Sequence, residues 1–207
     1  MTYLTILIPC LNEADTIESC IKKAQQFINN NDIDAEILVA DNGSTDNSKS
    51  IALNNKVRVV DVEEKGYGST LLKGIKKSNG KFVIFADSDD SYDLSKLEPF
   101  IQKLKEGYDF VTGNRFKGNI KKGAMPFLHQ YFGNPFLSFL GRIFFNNKIG
   151  DIHCGIRAFN KDKILNLNLY SQGMEFSIEM IARASFENLN ITEVPTDLEK
   201  DGRKKNR

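Results

Sequence analysis

The chain has 207 residues, 41% hydrophobic and 27% charged, with a formal net charge of +1. That length suits one large domain with a substantial core, and that charge argues against general attraction to nucleic acid. Three cysteines (Cys10, Cys20 and Cys154) without C-x-x-C spacing argue against a disulfide framework or a structural zinc site, and for a reducing compartment.

The opening MTYLTILIPCLNEAD has no basic lead and runs quickly into acidic residues, so it does not read as a signal peptide. No stretch reaches the run of about 18 apolar residues that a membrane span requires. Leu4 to Ile8 reads as a buried strand. Ala14 to Ile28 reads as a helix, with Ile17, Ile21, Ala24 and Ile28 at spacings of three and four. Ala35 to Ala40 is a second strand, followed by the turn Asp41-Asn42-Gly43-Ser44, and Asp46 is placed to cap a helix carrying Ile51 and Leu53.

Val57 to Val60 is a third strand, Gly66 to Lys77 a helix with a glycine-rich entry, and Lys81 to Ala86 a fourth strand. A helix is expected over Leu94 to Lys105, a strand over Asp109 to Thr112, a helix over Glu175 to Phe186 and a last strand over Leu189 to Val194. The alternation predicts a mostly parallel α/β sheet flanked by helices. Between Gly113 and Gly155 the alternation breaks, and an amphipathic helical insertion is expected near residues 125–146.

In an open parallel sheet, ligands gather where the strands end. Four polar clusters fall at such ends: Pro9 to Glu13, Asp41 to Asp46, Asp87 to Asp90, and Gly113-Asn114-Arg115. Asp87 and Asp89, one residue apart after an apolar strand, suit a hard cation that also takes ligand phosphates. The alternative is an acidic turn capping the next helix. Asp41 suits the imide N–H of a uracil or the N–H groups of a guanine, or else closes an Asx turn. Glu13 suits ribose hydroxyls, or complements the dipole of the first helix. Lys65-Gly66-Tyr67-Gly68-Ser69 reads equally as a phosphate loop and as a permissive helix entry. Asp151 and Arg157 are placed to flank a phosphate-bearing acceptor. His153 and Cys154 lack the partners that a nucleophile or a zinc site needs.

IPCLNEADTI, VADNGSTDNS, KGYGSTLLKGI, FADSDDSYD, GNRF, DIHCGIRAF, GMEFSIEM and EVPTDLEKDGRKK together resemble the family 2 glycosyltransferases of GT-A fold. More narrowly, they are similar to the synthases that load glucose or mannose onto dolichyl or undecaprenyl phosphate. The resemblance covers nearly the whole chain in order. It implies one catalytic domain over residues 1–207, with a nucleotide-sugar half to about residue 115 and an acceptor half from about 116. It implies Mg²⁺ or Mn²⁺ on Asp87 and Asp89. The nucleotide sugar would meet Pro9, Asn12, Glu13, Asp41, Gly43, Lys65, Gly68, Asp87, Ser88, Asp89 and Arg203. Asp89, Asp151, Arg115 and Arg157 would act at the reacting groups, the arginines on phosphates.

Asn42 stands where the family often has a second aspartate, and Ser91 where mannosyl members often have glutamine. Ser91 tilts the expectation toward UDP-glucose over GDP-mannose, with inversion at the anomeric carbon. A polyprenyl phosphate is the expected acceptor, reached at the cytoplasmic face of a membrane. A soluble or polysaccharide acceptor, and a sugar-nucleotide-binding domain without catalysis, are the rivals. The aromatic stretch Met125 to Phe145 reads as an interfacial helix or as a core helix covering the sheet. The basic tail (Lys200, Arg203, Lys204, Lys205 and Arg207) reads as attracted to anionic lipid or as solvated. Relatives usually continue past the DGR stretch, so by resemblance the chain reads either as trimmed from a longer protein or as a natural short form.

Overall fold

Leu4–Cys10 (β1) is buried at every position because it lies inside the sheet, covered on both faces. In this computed structural model, which describes residues 2–204, β1 pairs in parallel with Ala35–Asp41 (β2) and with Phe82–Phe85 (β4). Arg58–Asp61 (β3) extends the sheet beyond β2. Phe110–Asn114 (β5), Arg157–Asn160 (β6) and Ile191–Pro195 (β7) complete a seven-stranded sheet in the order β3-β2-β1-β4-β6-β5-β7. The expected mostly parallel sheet is present, with one reversal. β6, which the apolar pattern does not announce, runs antiparallel between β4 and β5.

The reversal brings a further loop to the polar edge of the sheet. Cys10 pairs with Asp41, Asp41 with Asp61, and Phe85 with Arg157, so the parallel strands end where β6 begins. The loop entering β6 therefore arrives at the edge from which the polar loops leave.

Ile17–Asn31 (α1) and Glu98–Lys105 (α4) cover one face of the sheet, against Leu4, Ile6 and Ile8. Tyr67–Lys77 (α3) and Phe176–Phe186 (α7) cover the other, against Leu7, Val83 and Phe85. Ser48–Asn54 (α2) lies between β2 and β3, and Asp46 accepts from the Ser48 N–H at 2.9 Å. α4 starts four residues later than the apolar spacing from Leu94 predicts. Asp93 accepts from the Ser95 N–H and hydroxyl in an Asx turn, and Pro99 fits only a first turn. A short helix over Lys161–Leu165 (α6), capped by Asn160, is a second element that the sequence pattern does not announce.

The insertion forms a π-helical turn over His129–Gly133 that continues into Asn134–Phe144 (α5). Pro135 has no N–H for the regular ladder, and the Asn134 N–H reaches back to the His129 carbonyl, which accommodates it. The face that α5 buries carries small residues, Ser138 and Gly141, the latter against Ile152. Its aromatic residues point outward. Phe127, Phe132, Phe136, Phe139 and Phe144 are each at least 49% exposed, which overturns the core-helix alternative. Among the described residues no helix is long and apolar enough to cross a membrane. Lys205 and Arg207 of the basic tail lie outside the described residues.

Candidate active site

A cleft of about 500 Å³ opens where β1, β2 and β4 end. Pro9, Glu13, Lys65, Asp87, Ser88, Asp89 and Arg203 line it, brought together from separate segments of the chain. A cavity of similar size, about 510 Å³, lies at the opposite ends of the strands beside Tyr3, Asp34 and Glu98. None of the expected site residues line that one.

Asp87 follows β4 into the floor of the cleft. The Tyr67 hydroxyl donates to its Oδ1 at 2.8 Å. On its other side Gly155 comes so close that an added Cβ would sit 2.1 Å from Oδ2. Burial, then the charge of Asp89, pushes the Asp87 carboxyl up to about 6, against the pull of Tyr67, Arg115 and Arg157. Asp89 stands nearer the opening. Its Oδ1 accepts from the Ser91 N–H at 3.0 Å, and its Oδ2 lies 3.9 Å from Arg203.

Beside β2, the Asp41 Oδ2 accepts from the Gly43 and Ser44 N–H groups, so the Asx turn is present. The Asp41 Oδ1 is buried and accepts no hydrogen bond among the described residues. A buried carboxylate oxygen without a donor is costly, and a ligand N–H would relieve it. Glu13 is nearly buried, which raises its carboxyl above the usual range, while Arg203, 3.4 Å away, counters the shift. Asn12 does not line the cleft. At φ 59° it braces the neighbouring loop, its Oδ1 accepting from the Thr45 N–H at 2.8 Å.

The glycine-rich entry to α3 has an occupant already. The Gly68 and Ser69 N–H groups donate to the Gln172 carbonyl, at 2.8 and 3.2 Å, and the Gly66 N–H donates to Asn42. A Cβ at Gly68 would fall 2.3 Å from the Ser171 carbonyl. The glycines therefore admit the 171–172 backbone, and a phosphate cradle at Gly68 does not fit this placement. Asn42 accounts for its own amide: its Nδ2 donates to the Val62 and Glu64 carbonyls, which a carboxylate there could not do. Lys65 donates to the Asn42 carbonyl at 2.7 Å and closes over Gly43.

Three residues expected at the reacting groups lie outside the cleft lining. Asp151 is fully buried and accepts from Arg115 three times: from Nε at 2.7 Å, Nη2 at 2.8 Å and the backbone N–H at 3.1 Å. Arg157 is also fully buried and donates to the Ile152, Cys154 and Ser177 carbonyls. Both guanidinium groups are thus engaged inside the protein. The expectation that they grip phosphate directly is corrected: they hold the 151–156 loop in place. Tyr67, Tyr92 and Gly155 lie inside the segments that carry the resemblance, but their contacts with one another and with Asp87 exist only through space.

Glu13, Asp87 and Asp89 set three carboxylates against two cations, Lys65 and Arg203, around the cleft. A diphosphate would meet net repulsion unless a cation came with it. Among the described residues, no group of three or more His, Cys, Asp or Glu side chains is arranged to hold a metal. Two carboxylates with further oxygens from a ligand phosphate is a donor set that Mg²⁺ or Mn²⁺ accepts, so the residues fit such an ion.

Comparison with known proteins shows the family and the fold. The model of the family described as Glycosyl transferase family 2 matches residues 5–167. The low-salt glycan biosynthesis hexosyltransferase Agl6 of Haloferax volcanii is 34% identical over 193 residues, 93% of this chain and 46% of that protein. The dolichyl-phosphate hexose transferase of the same organism is 28% identical over 93% of this chain and 81% of its own. The chain spans about half the length of Agl6, and 61% of a second Haloferax relative, glycosyltransferase AglJ. Glucosyl-3-phosphoglycerate synthase from Mycobacterium tuberculosis, crystallised with Mn²⁺, UDP and glucosyl-3-phosphoglycerate, superposes with a TM-score of 0.77. At 22% identity, over 100% of this chain and 73% of that one, that likeness speaks for the GT-A fold alone.

Proposed function

This chain belongs to glycosyl transferase family 2, and from that premise we propose that it moves a hexose from a nucleotide sugar onto a polyprenyl phosphate, with inversion. UDP-glucose is favoured over GDP-mannose as donor. The observation that carries the reading is the cleft itself, where Asp87 and Asp89 meet Glu13, Lys65 and Arg203; Asp41, at the end of β2 just behind the cleft lining, keeps an unpartnered Oδ1.

Asp41 accepts the imide N–H of the base, and Glu13 faces the ribose. Asp87 and Asp89 hold the divalent ion, which when bound spreads the charge that develops on the departing diphosphate. Lys65 and Arg203 neutralise what remains, Arg203 turning from its present carboxylate partners toward phosphate. A phosphate acceptor is already an anionic nucleophile, so positioning matters more than a strong base. The Arg115–Asp151 pair and Arg157 serve that positioning by fixing the 151–156 loop.

The outward aromatic face of the insertion supports a lipid acceptor over a soluble one. No acidic residue occurs between Phe116 and Gly150, while Lys117, Lys121, Lys122, Arg142 and Lys148 do. Aromatics flanked by cations suit the headgroup region of an anionic bilayer, where this protein would meet its acceptor.

Thermal-shift titration with UDP, UDP-glucose, GDP and GDP-mannose, each with Mn²⁺ and with EDTA, tests the donor site. A metal-dependent rise with a uridine nucleotide, lost in Asp89→Asn, is expected. No rise with any nucleotide would sink the reading.

A further inference from the structure

Asp87 is held from two sides by groups that the proposed transfer reaction does not itself use. The Tyr67 hydroxyl, at the first residue of α3, donates to Oδ1 at 2.8 Å. Gly155 walls in Oδ2, since even one added carbon would lie 2.1 Å from that oxygen. Neither wall is loose. Tyr67 is anchored by its neighbours: the Gly66 N–H donates to Asn42 and the Gly68 N–H to Gln172. Gly155 is anchored by Tyr92, whose buried hydroxyl accepts the Gly155 N–H at 2.9 Å.

We propose that Tyr67 is a positioning residue that, against the backbone wall of Gly155, fixes the Asp87 carboxylate in the orientation the divalent ion requires. The proposal rests on the metal-dependent donor site proposed for this cleft. An aspartate has two side-chain torsions free to turn, and metal ions that demand regular oxygen geometry lose affinity when a ligand must be ordered on binding. A partner that orients a ligating carboxylate supports the metal through its ligand, and loss of one such contact typically costs about 10–100-fold in metal affinity. The buried Tyr67 hydroxyl takes Asp87 as its acceptor, so one contact both satisfies the tyrosine and orients the carboxylate.

The test is a Mn²⁺ titration followed by electron paramagnetic resonance at fixed UDP, on wild type, Tyr67→Phe, Asp87→Asn and the double variant. Phe keeps the ring and its packing, so the melting temperature in EDTA should match wild type. Tyr67→Phe is expected to weaken Mn²⁺ about tenfold. In the Asp87→Asn background the same change is expected to cost less than about twofold, because no carboxylate remains to be held. Gly155→Ala, which pushes Oδ2 aside, should weaken Mn²⁺ in the same direction. Unchanged Mn²⁺ affinity in Tyr67→Phe, with wild type binding normally, overturns the positioning role and leaves the donor site standing. An equal loss in both backgrounds likewise overturns it, as a general structural effect. Wild type that binds no Mn²⁺ with UDP removes the donor-site reading, and this proposal with it.

Discussion

Replacing Asp151 with Ala tests whether that carboxylate belongs to the architecture or to the chemistry. Asp151 is wholly buried and gathers three donors from Arg115, which is itself 9% exposed. Deleting the carboxylate strands a guanidinium that cannot shed its proton. Removing one partner of such a buried pair costs about 3–5 kcal/mol. For a domain of this size each kcal/mol moves the melting temperature by about 2–4 °C, so a fall of about 6–20 °C is expected. The assay is a melt in EDTA without nucleotide, which removes ligand stabilisation from the comparison. Arg115→Met with Asp151→Leu replaces both charges by apolar side chains and should recover most of the loss. An Asp151→Ala protein that melts within about 2 °C of wild type, yet has lost turnover, would refute the architectural assignment.

The site and the insertion each carry a further expected outcome. The Asp87 carboxyl is raised in the folded state to about 6 from 3.8, so the fold binds its proton more tightly than the unfolded chain does. That contribution is full below about pH 4 and lost as pH rises through about 6, and it is worth at most about 3 kcal/mol. Asp87→Asn should therefore melt higher than wild type in EDTA at pH 8 and flatten the profile between pH 4 and 6. A wild-type profile with no fall across that window would show that Asp87 does not titrate there. Phe139→Asp with Phe144→Asp should weaken binding to anionic liposomes at least tenfold without lowering the melting temperature, since both rings are exposed. Full retention on the vesicles would take the insertion out of membrane contact.

The parallel strands are legible because each is a short apolar run covered on both faces, as Leu4–Cys10 shows. β6 is not, because Arg157-Ala158-Phe159-Asn160 opens with an arginine whose burial depends on carbonyls from the 151–156 loop and α7. The start of α4 departs from the apolar spacing because local turn chemistry at Asp93 and Pro99 outweighs it. At the site, position after a strand brings Asp87 and Asp89 to attention, and the structure places both in the cleft. Strand-end position and the family resemblance suggest Arg115, Asp151 and Arg157 at the reacting groups, but no local pattern reveals that a cation and an anion 36 positions apart neutralise each other. Gly68 shows the same limit. A glycine admits a close neighbour, and the sequence does not say whether that neighbour is a phosphate or the Gln172 carbonyl.

The reversed strand β6 also bears on how the protein is made. Within the first 115 residues β5 has no pairing partner, for its neighbours are β6 and β7, and β4 is paired on one side only. A ribosome that has delivered the loops carrying Glu13, Asp41, Asp87 and Asp89 has thus delivered an unfinished sheet. Phe82–Phe85 and Phe110–Asn114 then offer bare hydrogen-bonding edges to any passing strand. The sheet closes when Arg157–Asn160 slots between them, a late and long-range event of the kind that folds slowly and invites misassembly. Severing the chain after residue 115 would yield an aggregating fragment in place of a self-sufficient half-domain, and a holdase present during synthesis would be the natural remedy.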